Sequence, residues 1–145
     1  MNKFSRLIAT ASLVLASALA PSASFAHSDI VSTTPAAGST VEAGTVDIVV
    51  EFNEDLLQDA NSAGSEIKVV ETSTGNELMA GCVYVEGSRL HARAALDVDG
   101  GVTVTWRTVA DDGHPVSESY EFNVSNPDGI ALTDPVGFCE EGRTY

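Results

Sequence analysis

From Thr45 onward, apolar and polar residues alternate with a period of two, the signature of half-buried β-strands. In "TVDIVVEF" (45–52), Val46, Ile48, Val50 and Phe52 share one face. "SEIKVVET" (65–72) is a second strand, closed by the turn-forming run Ser73-Thr74-Gly75-Asn76. "GCVYVEGSRLHARAAL" (81–96) reads as two strands joined at Glu86-Gly87-Ser88, a hairpin signal. "GVTVTWRTV" (101–109) turns Val102, Val104 and Trp106 inward, and "ESYEFNVS" (118–125) does the same with Tyr120, Phe122 and Val124. Stretches of helical period are lacking, and Asn53 to Gly64 is the one place for a short helical turn. Short strands at regular spacing predict a single-domain, all-β antiparallel sandwich with Trp106 in its core. From Asn126 the alternation dissolves into Pro, Asp and Gly, which predicts an irregular tail over 126–145.

The first 26 residues read as a secretory signal. Lys3 and Arg6 precede an apolar run from Leu7 to Ala20, followed by the small-residue site Ser24-Phe25-Ala26. A run of about 14 residues is short for a membrane span of roughly 20. The expectation is an exported, periplasmic protein with no membrane insertion after cleavage, beginning at His27. Cleavage removes Lys3 and Arg6 but none of the 21 acidic residues, so the formal net charge moves from −14 to −16. Such a surface repels nucleic acid and anionic lipid and favours cations. In an exported chain, the two cysteines Cys82 and Cys139 are expected to form a disulfide that tethers the tail.

Three histidines lie beyond the signal. His91 alternates with Arg89 and Arg93 on the polar face of its strand, which predicts a solvated surface residue. His114 belongs to "VADDGHPVSES", between two strands. Asp112 and His114 are two apart, so in extended backbone both side chains point to one side. Pro115 favours that conformation, and Gly113 removes bulk between them. Asp-x-His is half of a transition-metal site. His27 supplies the complement. Once it is the first residue, its free amine and its Nδ1 can close a six-membered chelate ring on one ion. With the His114 imidazole and the Asp112 carboxylate, the set is three nitrogens and one oxygen, which suits tetragonal Cu(II). Asp29 or a water would complete the shell.

"AHSDIVSTTPAAGS", "VVEFNEDL" and "WRTVADDGHPVSESYEFNV" resemble the CopC copper-resistance proteins of the bacterial periplasm, in the right order and from His27 to about Val124. The resemblance implies an Ig-like Greek-key β-sandwich or barrel over 27–125. It also implies that His27, Asp112 and His114 bind one Cu(II) per chain, with Asp111 tuning the local charge. The implied role is non-enzymatic: copper sequestration, delivery or resistance, by a monomer that exchanges copper with a membrane transporter. Some members carry a methionine-rich Cu(I) segment, but here Met79 stands alone beyond the signal, so no thioether site is expected. Two alternatives use the same residues. One is a copper oxidase or oxygenase built on a histidine-brace-like site. The other is an Ig-like interaction module without a metal role.

Overall fold

The computed structural model describes residues 29–58, 64–78 and 80–132. The proposed signal, His27, Met79 and Cys139 lie outside the described residues. Eight strands form: β1 (Ile30–Thr34), β2 (Thr40–Glu42), β3 (Gly44–Phe52), β4 (Glu66–Glu71), β5 (Tyr84–Glu86), β6 (Arg89–Leu96), β7 (Gly100–Val109) and β8 (Pro115–Ser125). They build two four-stranded sheets, ordered β1-β3-β6-β5 and β2-β8-β7-β4. The single-domain, all-β sandwich is as expected, with one difference in detail. β2 runs parallel to β8, while the other strand pairs are antiparallel.

Alternation decides the core. Ile48, Val50 and Phe52 of β3 are buried against solvent, as are Leu90, Ala92, Ala94 and Leu96 of β6. The second sheet contributes Ile67 and Val69, then Val102, Val104 and Trp106, then Tyr120, Phe122 and Val124. Burying each of the larger side chains contributes about 1.5–3 kcal/mol. Phe52 meets the indole of Trp106 edge-on across the two sheets, with centroids 4.9 Å apart at 82°. Thr108 lies on the same buried face of β7, and its hydroxyl is satisfied by Ser65 Oγ at 2.9 Å.

The hairpin signal at Glu86-Gly87-Ser88 holds: Glu86 pairs with Arg89 across a two-residue turn, with Gly87 at φ +60°. No helical turn forms over the described part of 53–64. Asn53 to Leu57 instead crosses one end of the sandwich, through a bridge between Leu56 and Ala110. β1 and β2 were not legible as strands. β1 breaks alternation with a register shift between Ile30 and Ser32, and β2 has three residues.

The outer face of the first sheet carries cross-strand ion pairs at register positions: Glu51 with Arg89 and Asp47 with Arg93. Ser32 Oγ donates to Glu51 at 2.8 Å and Arg89 Nη2 at 2.9 Å. The Ser32 bond first, then the Arg89 bond and charge, hold the Glu51 carboxyl below the usual glutamate range. A carboxyl held down contributes stability above its unfolded pKa and loses it as pH falls through the folded one. Ser32→Ala should therefore raise the Glu51 midpoint in a side-chain carboxyl NMR titration. An unchanged midpoint would assign the whole effect to Arg89.

Candidate metal centre

The loop between β7 and β8 is built by its own backbone. Ala110 N–H donates to His114 O at 2.9 Å, and Gly113 N–H returns to Ala110 O at 2.8 Å. Gly113 sits at φ +88°, a conformation that a side chain would strain. Asp112 then grips His114 twice. Its Oδ1 accepts the His114 N–H at 3.0 Å, and its Oδ2 lies 2.9 Å from the ring Nδ1. The His114 N–H foremost, then the ring contact, hold the Asp112 carboxyl below the usual aspartate range. The pair is open to an incoming ion: the side chains of His114 and Asp112 are 78% and 44% exposed.

The start of the described chain reaches the same end of the sandwich. Asp29 N–H donates to Asn53 Oδ1 and Asn53 N–H to Asp29 O, both at 3.0 Å. A few residues on, Leu57 N–H donates to Val109 O at 2.9 Å, and Asp111 N–H donates to Asp55 O at 3.1 Å. The Asn53–Leu57 segment thus ties Asp29 to the loop that holds Asp112 and His114. His27 lies outside the described residues, two positions before Asp29, and two residues span at most about 7 Å. Among the described residues, no group of three His, Cys, Asp or Glu side chains could hold a metal ion. Asp112 and His114 supply two donors of the expected set.

Asn53 is the positioning residue that pattern reading missed. A strand that ends in an amide side chain capable of bonding backbone was its available signal. His91 requires a correction. It lies on the outer face as predicted but is not solvated: its side chain is 16% exposed, because Tyr84 of β5 stacks on the ring at 4.6 Å and 3°. Its Nε2 lies 3.9 Å from Glu86. Covered by Tyr84, it stands apart from the Asp112–His114 pair. No described cysteine is free. Cys82 follows Gly81, whose N–H donates to Arg93 O at 2.7 Å beside β6.

A family model for the CopC domain matches residues 30–125. The chain belongs to the CopC family. Among curated CopC-type relatives, copper resistance protein C of Xanthomonas campestris pv. juglandis is 31% identical over 133 residues, covering 82% of this chain and 96% of that protein. The copper transport protein CutJ of Bacillus subtilis is 28% identical over 115 residues, but the chain spans 20% of its length. The crystal structure of CopC from Methylosinus trichosporium OB3b superposes with a TM-score of 0.57 at 26% identity, covering 68% of this chain and 94% of that one. PcoC, a copper resistance protein from Escherichia coli, shares the fold with a TM-score of 0.54 at 22% identity. CopC proteins are copper-binding resistance proteins rather than enzymes, which sets aside the oxidase reading.

Proposed function

We propose that the chain is the precursor of a periplasmic Cu(II)-binding protein holding one ion at its amino terminus, in copper sequestration or delivery. Residues 1–26 are the export signal, and 27–125 are the binding domain. Residues 126–145 are a tail tied back by a Cys82–Cys139 disulfide. The observation that carries the reading is the exposed Asp112–His114 pair on a loop bonded, through Asn53–Leu57, to the point two residues from His27. The ligands are the His27 amine and Nδ1, the His114 imidazole and the Asp112 carboxylate. Asp112 Oδ2 and His114 Nδ1 face each other at 2.9 Å, so an ion bound by both would take the place of that contact. The names of the relatives, copper resistance and copper transport, support a role in holding or passing the ion, with a membrane copper transporter as the exchange partner.

A Cu(II) titration of the chain starting at His27, followed by EPR, tests this. One tight equivalent with a nitrogen-rich tetragonal spectrum is expected. Affinity should fall as pH is lowered, because the amine and both imidazoles must lose protons to coordinate. Micromolar or weaker binding, or affinity indifferent to acid, would sink the reading.

A further inference from the structure

Strand β8 is covered along only part of its outer edge. β2 pairs with Asn123, Val124 and Ser125. Asn123 N–H donates to Ser39 O at 2.8 Å, Gly38 N–H to Glu121 O at 2.8 Å, and Ala43 N–H to Ser125 O at 3.0 Å. These three bonds set the phase of the strand. The odd-numbered residues of β8 direct N–H and C=O away from β7, because residues along a strand address opposite neighbours in turn. Ser117 and Ser119 therefore present their main-chain groups on that same edge, where no described strand meets them. Both are exposed, and they follow directly from the loop of Asp112 and His114. An open strand edge is a template for another strand.

The charges around this edge select the occupant. Val116, Glu118 and Tyr120 share the inward side of β8, yet Glu118, opposite Trp106 of β7, is exposed. An inward-pointing charge on an edge strand opposes pairing with a like copy. Between Ala110 and Ser125 the chain carries Asp111, Asp112, Glu118 and Glu121 but no Lys or Arg. Two copies joined here would oppose like charges, which destabilises cross-strand pairs, whereas a strand bearing Lys or Arg would place opposite charges together. We propose that the free edge of β8, from Pro115 to Ser119, docks an extended basic segment of a partner protein by strand addition. Its use in copper exchange rests on the function proposed above; its geometry does not.

Amide hydrogen exchange of the chain starting at His27, followed by NMR, tests the proposal. The probe is an acetylated octapeptide of alternating Lys and Val, beside its Glu and Val counterpart. The basic peptide should slow exchange at Ser117 and Ser119 by about tenfold, and the acidic peptide should leave both unchanged. Equal protection by both peptides, or none at millimolar basic peptide, would overturn the proposal. Protection that grows with protein concentration alone would assign the edge to a second copy and overturn it likewise. Ser119→Pro removes an N–H that does not face β7, so it should abolish peptide protection at Ser117 and leave Cu(II) affinity unchanged. Glu118→Lys is an independent variant at an exposed position and should transfer the preference to the acidic peptide. If Cu(II) binding fails while the basic peptide still protects this edge, the copper reading falls and the docking surface stands.

Discussion

One additional residue ahead of His27 is expected to lower Cu(II) affinity by more than the roughly 10–100-fold that loss of an outer-shell partner costs. The extension converts the His27 amine into an amide, which no longer offers a lone pair, and it opens the chelate ring while leaving the imidazole in place. The fold should not change, because Asp29 is anchored through its own backbone to Asn53. His114→Ala should also weaken binding, but less, since the amine and Nδ1 of His27 still chelate. Asp112→Asn should rank third: an amide oxygen can still accept the His114 N–H, though the negative charge is lost. Competitive Cu(II) titration of the four proteins, with nitrogen hyperfine structure by EPR, checks the order. Equal affinity of the extended and mature forms would remove the amine from the site.

Trp106→Ala is expected to cost about 3–5 kcal/mol of stability, read from urea denaturation. The indole is 2% exposed and packs edge-on against Phe52 of the other sheet, so truncation opens a cavity that joins both layers. Trp106→Phe should cost much less. It keeps an aromatic ring there and removes the indole N–H, which is buried with no hydrogen-bond partner among the described residues. Leaving such a donor unsatisfied costs about 1–3 kcal/mol, so its removal offsets part of the lost contact. A loss below about 1 kcal/mol in the alanine variant would mean that the two sheets are not close-packed at this point.

The strands that bury a full face were legible because their period is two and their inward residues are large. Phe52, Trp106 and Phe122 follow as core residues from alternation alone, and all three are buried. β1 and β2 were not legible, because one is broken by a register shift and the other is held by neighbours rather than by its own pattern. His91 was misread for a related reason. Alternation gives the face a side chain points to, not what an adjacent strand lays over it, and Tyr84 comes from β5. The pairing of Asp112 with His114 was foreseeable from the Asp-Gly-His-Pro segment, but its cause was not. The loop is a turn with Gly113 at φ +88° rather than extended backbone, and Asp112 reaches His114 by accepting its main-chain N–H. The bond between Asp29 and Asn53 was not foreseeable, because it joins residues 24 apart through one amide side chain.

The irregular ending read from the sequence hides one ordered feature. Asn126 is buried and donates through Nδ2 to Asp97 O at 2.8 Å and to Ile130 O at 3.0 Å, and its Oδ1 accepts the Ile130 N–H at 2.8 Å. Its own N–H is bound by Asp99 at 2.8 Å. The first residues after β8 are thus fastened to the β6–β7 turn.

The expected ligands come from different layers. His27 leads into β1 of the first sheet, and Asp112 and His114 hang from the β7–β8 loop of the second. An ion held by all three would act as a clasp across the mouth of the sandwich. Metal supply then becomes a variable of mechanical integrity as well as of occupancy. A free ion concentration a hundredfold above the dissociation constant adds about 2.7 kcal/mol to the folded state. The copper-loaded form would be the harder one to unfold or digest, and surrender of the metal would loosen the same end of the molecule that has to receive the next ion.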